Sequence, residues 1–307
     1  MGPVITVVLG LCGALVYGFA DFLGGLASRR LRPVTVAALA AVVGIAPLLV
    51  ALALVGGRAS WQATLWGAVA GVSGAVGVLL LYAALAMGPM SVLSPLTAVF
   101  AAVVPVVVAL VGGTVLSPVA IGALVVAVVA VVLVASVRDP GGARLTARGV
   151  VTAAVAGCGF GGIVLAFNET PADSGMAPLV VARLLQAALL GAAAVAAAVR
   201  TGGSSRVTAS AGAGDVAGPP AVAGTVRRLA LVVVACGVFD ALANVFIQTG
   251  LHSSTDPSTL PVISVLNALY PIGTVVLAGI VLRERLAVLQ AVGIGLALTA
   301  SVTLALA

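Results

Sequence analysis

The 307-residue sequence predicts an all-α polytopic membrane protein, with ten transmembrane helices arranged as two inverted five-helix repeats. Three observations carry this. First, 62% of the residues are hydrophobic and 7% charged, against about 45–50% apolar and about 25% charged in soluble domains. A soluble fold of this size leaves about a quarter of its unfolded surface in water, and this composition cannot cover that much surface with polar groups, so lipid is the solvent. Second, the chain divides into ten apolar runs, each near the roughly 20 residues that a ~30 Å hydrocarbon core requires. Third, segments of the first five runs are echoed in the last five.

The first run, 3–27, has no charged region before it and stays apolar to about Phe22. That exceeds the about 7–15 residues of a signal-peptide core, so it reads as a retained membrane helix, and it contains Asp21. Runs at 33–55 and 63–87 follow. The third places Gly67, Gly71 and Gly74 along one side, a small face that lets backbones approach closely. No strand precedes these glycines and no GK[ST] follows, which excludes a phosphate-binding loop. The fourth run, 90–112, holds Ser94, Pro95, Thr97 and Pro105, and the fifth spans 118–137.

The second half repeats the plan in runs 149–168, 177–199, 228–250, 258–281 and 286–306. Arg183 lies inside the seventh run. Residues 201–226, rich in Gly, Ala, Ser, Thr and Pro, read as a flexible linker. The domain reading is therefore 1–137 and 149–307, the latter interrupted by that linker. The eighth run carries Asp240, Asn244 and Gln248 at four-residue steps, hence on one face. The ninth carries Pro261, Asn267, Tyr270, Pro271 and Thr274.

The echo has two parts. At a shift of 170, "SVLSPLTAVF" (91–100) lies over "PVISVLNALY" (261–270), and at 141, "YGFADF" (17–22) resembles "CGFGGI" (158–163). Five helices are an odd number, so the second half enters the membrane upside down, the plan of secondary transporters.

Charge placement gives orientation. All 14 basic residues are Arg. Twelve fall in loops after odd-numbered runs, and only Arg58 falls in an even one. Positive loops stay cytoplasmic, which puts both termini outside. With aromatics at 4%, the arginines make no nucleic-acid face. Cys12, Cys158 and Cys236 lie in apolar runs without metal-ligand spacing, and the single His252 has no partners. No metal or cofactor is expected.

Charge within a membrane run costs about 2.5–3.5 kcal/mol at mid-helix, so Asp21, Arg183 and Asp240 are candidates for function. Asp240 with Asn244 reads as a polar stripe lining a cavity or as half of an ion pair with Arg183. Asp21, nearer "SRRLR", reads as reaching Arg29, Arg30 or the interface, or as functional. Ser94 and Thr97 lie over Ser264 and Asn267, and with Tyr270 they mark Pro-interrupted helices at matching places, a pointer to a transporter site; ordinary interhelical hydrogen bonding is the other reading.

"VYGFADFLGGLASRRL" (16–31), "VARLLQAALL" (181–190) and "VLNALYPIGTVVLAGIVLRERLAVLQAVGIGLAL" (265–298) resemble the drug/metabolite transporter superfamily, in its ten-helix EamA-type branch. Two features depart from it: Thr114 stands where the second half has Glu284, and the family has both termini cytoplasmic. The resemblance implies gradient-driven alternating access for small organic metabolites or amphiphilic drugs, as an exporter in a bacterial plasma membrane, as monomer or homodimer. It implies Asp240 as the coupling carboxyl, Arg183 as its partner, and Asn244, Asn267 and Tyr270 as substrate-orienting groups. An intramembrane enzyme and a non-transporting scaffold are the alternatives. The chain has no DDxxD or HExxH for the former.

Overall fold

The computed structural model describes residues 3–111, 146–202, 220–251, 270–283 and 288–306, with scattered positions between 118 and 129. Among the described residues the protein is all helical. Its helices are α1 (Pro3–Ser28), α2 (Pro33–Val55), α3 (Trp61–Met87), α4 (Met90–Val111), α5 (Ala147–Asn168), α6 (Ala177–Gly202), α7 (Pro220–Leu251), α8 (Pro271–Leu277) and α9 (Val288–Leu306). Six of them, α1, α2, α3, α5, α6 and α7, are long and apolar enough to cross a membrane.

The surface agrees with a lipid solvent. Leu54, Trp61, Val199, Ile280 and Val288 are exposed around the bundle. The interior is built mainly from alanine and glycine, with few bulky groups such as Tyr82, Leu81 and Leu85. Small residues suit a bundle in lipid, where close backbone approach, rather than water exclusion, holds helices together. α1 packs most closely on α7, α3 on α5 and α6, α4 on α5, and α2 on both α6 and α7. Gly67 and Gly71 face α6, so the small side of α3 serves packing within the chain.

Local chemistry sets the helix ends. Ser60 caps α3 by accepting from the Ala63 N–H at 3.0 Å, and Thr146 caps α5 through the Gly149 N–H at 3.1 Å. Pro33 opens α2 and Pro271 opens α8, where the missing N–H leaves no intrahelical bond unmade.

Three sequence expectations are revised. Helix α4 runs unbroken through Pro95 and Pro105, so the proline interruption expected there is not present as a break; neighbouring helices can re-satisfy the freed carbonyls. The seventh run extends to Gly202, and α7 starts at Pro220 rather than 228, so both edges of the expected linker are helical; Pro is pre-organised for a first helical turn. The ninth run is not one regular helix at its end: α8 passes into a π-helical turn, Ala278–Leu282, closed by Arg283 in the left-handed conformation. Residues 203–219 lie outside the described residues, as do His252, Asn267 and Glu284.

The two ends of the bundle are tied differently. At the end bearing Arg58, the α2–α3 loop clasps the α5–α6 turn: Met176 N–H donates to the Gly56 carbonyl at 3.1 Å, and Arg58 N–H to that of Asp173 at 3.1 Å. Gly175 has a φ of 50° and backs onto the Gly56 carbonyl, where a side chain would be both strained and crowded. Gln248 of α7 adds a bond from Nε2 to the Gly175 carbonyl at 3.2 Å. At the arginine-rich end, Arg29 donates to the Gly88 carbonyl at 3.3 Å and Arg32 to that of Ala197 at 3.1 Å. Guanidinium groups there meet the C-cap carbonyl of α3 and a carbonyl near the C-terminal end of α6, towards the negative ends of those helices.

Candidate functional site

Three ionisable groups of opposite sign lie inside the described apolar helices: Asp21 on α1, Arg183 on α6 and Asp240 on α7. Arg183 and Asp240 meet as a buried ion pair, the guanidinium Nη2 donating to Oδ2 of the carboxylate. The second guanidinium nitrogen, Nη1, donates to Gln186 Oε1 at 3.0 Å. Gln186 stands one turn beyond Arg183 and so shares its face. Gly44 of α2 supplies the room: a Cβ there would lie 3.3 Å from Arg183 Nε and 3.2 Å from the Gly237 carbonyl.

Isolated charge in lipid is expensive, whereas a paired and hydrogen-bonded charge is tolerated. The pair is therefore self-consistent in this interior. It also faces a cavity of about 50 Å³, lined among others by Tyr17, Phe160, Phe167, Arg183, Gln186, Asp240 and Asn244. That volume holds about four water molecules. Pockets for drug-sized ligands run to about 300–1,000 Å³, so this conformation has room for solvent beside the ion pair and not for a large organic guest.

Asn244 lines the same cavity but turns its amide back along its own helix, donating from Nδ2 to the Asp240 carbonyl at 2.8 Å. Gln248 leaves the stripe to join the clasp at Gly175. The four-residue spacing thus places Asp240 and Asn244 together and sends Gln248 elsewhere.

On the other flank of α7, Cys236 Sγ lies 3.0 Å from the Tyr82 hydroxyl and 3.4 Å from the Ala20 carbonyl. The contact of Cys236 with Ala20, and that of Ala243 with Gly13, fix α1 and α7 as antiparallel. In that register Asp21 sits about five residues, roughly 7 Å, further towards the arginine-rich end than Asp240.

Asp21 is buried, 8% exposed, the same figure as Asp240. It does not reach Arg29 or Arg30, which corrects the snorkelling expectation: among the described residues its carboxyl has no ion pair and no hydrogen bond. Its face of α1 turns inward, because Tyr17 one turn earlier packs with Ala14, Ala98 and Tyr270.

The remaining candidates separate. Thr97 donates back to the Leu93 carbonyl at 2.9 Å, a local bond within α4. Ser94 Oγ and the Tyr270 hydroxyl are buried with no hydrogen-bond partner among the described residues. Thr274 ties α8 to α1 through the Gly18 carbonyl at 3.1 Å. Sequence reasoning passed over Gln186, Tyr17 and Gly44. The first two were reachable, being one turn from Arg183 and Asp21 respectively; Gly44 was not, because nothing local marks which glycine faces a guanidinium. Among the described residues no cluster of His, Cys, Asp and Glu could hold a metal ion.

No protein-family model and no curated protein matches this chain. Solved structures do. One, described only as "Crystal structure of protein", has a TM-score of 0.52 at 16% identity and covers 97% of this chain and 95% of its own. At that identity the likeness concerns the fold alone, and it extends over nearly the whole of both chains.

Proposed function

We propose that this protein is a secondary active transporter that exports small organic metabolites or amphiphilic drugs by alternating access, as a ten-helix member of the drug/metabolite transporter superfamily in a bacterial plasma membrane. The observation that carries the reading is the buried Arg183–Asp240 pair beside a small cavity lined by α1, α2, α3, α5, α6 and α7. An ion pair that lines solvent can exist closed in one state and open in another. That is what a gate requires, and a purely structural ion pair needs no adjoining cavity.

Matched helix crossings support the inverted-repeat part of the proposal. A Cβ on Gly157 of α5 would meet the Thr97 carbonyl, the Phe100 Cβ and the Ala101 nitrogen of α4. A Cβ on Gly18 of α1 would meet the Tyr270 carbonyl, the Gly273 Cα and the Thr274 nitrogen at α8. Both glycines sit on positions n, n+3 and n+4. Likewise Gly71 of α3 meets the carbonyl and Cα of Ala182 and the Cβ of Leu185 on α6, while Gly237 of α7 meets the carbonyl and Cα of Ala40 and the Cβ of Val43 on α2. Exchanging the two halves maps each crossing onto the other. The implied offsets are 139 (157 − 18), 142 (182 − 40), 166 (237 − 71) and 173 (270 − 97), within four residues of the sequence echo at 141 and 170. Such a repeat lets two equivalent conformations open to opposite sides.

Purified protein in proteoliposomes, supplied with an imposed proton gradient and labelled amino acids, nucleosides, sugars and cationic drugs, tests the proposal. Gradient-dependent accumulation of one class, lost in Arg183→Gln, is the expected result. Equal fluxes in protein-containing and empty vesicles across the whole panel would refute it.

A further inference from the structure

Two buried carboxyls and one buried guanidinium leave a single negative charge without a partner. Asp240 has Arg183, and Gln186 accepts a second bond from the guanidinium. Asp21 is buried to the same extent and has neither cation nor donor among the described residues. We propose that Asp21 is a proton-binding site, displaced from the Arg183–Asp240 pair towards the arginine-rich end, with the Tyr270 hydroxyl within its electrostatic reach.

Three observations support it. The Tyr270 hydroxyl is buried and has no partner among the described residues, although a phenol in lipid ordinarily finds a bond. Its ring packs with Ala14 and Tyr17, on the stretch of α1 that leads to Asp21 one turn on, and Tyr270 lies within electrostatic range of the Asp21 carboxyl. The surroundings are otherwise short of positive charge. The ionisable groups within its electrostatic reach on α1, α3 and α7 are Tyr17, Tyr82, Cys236 and Asp240, none of them a cation; α2 carries no ionisable side chain, and Arg183 is already engaged by Asp240. Third, the small cavity beside Arg183 and Asp240 is not lined by Asp21, and a proton, the smallest charge that restores neutrality, needs no cavity at the carboxyl. Thr97 and Thr274, the nearby hydroxyls, already donate to backbone carbonyls, which argues against a many-oxygen metal cage.

This deepens the transporter reading and relies on it only for the use made of the proton; the titration itself is measurable without a substrate. The full chain in lipid nanodiscs would be followed by infrared difference spectroscopy between acid and alkaline buffer. A protonated-carboxyl band that titrates in the wild type, persists in Asp240→Asn and is lost in Asp21→Asn is expected. If Asp21→Asn does not fold, Asp21→Glu should shift the band instead. Loss of the band in Asp240→Asn, an unshifted band in Asp21→Glu, or no titrating band in the wild type overturns the proposal. So does removal of the band when sodium chloride replaces choline chloride at fixed pH, since the site then holds a metal ion. A titrating band in a protein that moves no substrate would sink the transporter reading and leave the site standing.

Discussion

Asp240 and Asp21 are buried alike, 8% exposed each, on helices that pack against one another. Their surroundings are opposite. Asp240 is met by a guanidinium that is itself held by Gln186, and its own helix contributes Asn244. Asp21 has no ion pair or hydrogen bond among the described residues and lies in the field of the other carboxylate. Burial alone therefore says little about what an acid does in a membrane. The set of groups facing it decides whether it is a strut or a place where charge can come and go.

The most forceful way to break this contrast is to remove Arg183. Arg183→Gln leaves Asp240 buried without a counter-ion, and removing one partner of such a pair costs about 3–5 kcal/mol. Thermal unfolding in detergent should show a large loss for Arg183→Gln and for Asp240→Asn, with most of it recovered in the double variant. Asp21→Asn, which breaks no ion pair or hydrogen bond among the described residues, should leave stability unchanged or raise it. Equal losses at Asp21 and Asp240 would erase the distinction between them.

A milder test perturbs only the Asp240 side. Gly44→Val puts a branched side chain where even a Cβ lies 3.3 Å from Arg183 Nε. Overpacking of this kind costs about 1–3 kcal/mol. The variant should lose stability by that amount in the same unfolding assay, and adding Arg183→Gln should remove much of the penalty. Additive losses would mean that Gly44 serves the backbone crossing with Gly237 and has no part in housing the guanidinium.

How far the contrast could be read in the sequence follows from its physics. The six described spanning helices are legible because lipid demands about 20 apolar residues in each, a local property. Arg183 and Asp240 are legible as a pair because so few charges lie in the apolar runs and these two differ in sign. The fate of Asp21 is not legible. Position 21 is close enough to Arg29 and Arg30 along the chain to suggest a reach to the interface, but the face that α1 presents is set by α7 and α8, elements more than 200 residues away in sequence. The course of α4 through two prolines is hidden for the same reason, since neighbouring helices decide whether a freed carbonyl finds another partner.

The smallest effects fall on the two tyrosines, and they sharpen the comparison most finely. Tyr82 and Tyr270 are both buried, yet the Tyr82 hydroxyl is bonded to Cys236 on the α7 side while that of Tyr270 has no partner among the described residues. Deleting a satisfied hydroxyl and its bond costs about 0.5–1.5 kcal/mol, whereas deleting an unsatisfied buried one relieves a desolvation penalty. Tyr82→Phe should therefore lower stability by about 1 kcal/mol, and Tyr270→Phe should leave it level or raise it slightly. Each variant keeps its ring, so packing changes little and the hydroxyl alone is read. If Tyr270→Phe is instead as costly as Tyr82→Phe, the phenol has a partner in the membrane-embedded protein. Combining it with Asp21→Asn then identifies that partner: a sub-additive loss means that the two groups hold each other, and full additivity means that the hydroxyl is bonded elsewhere.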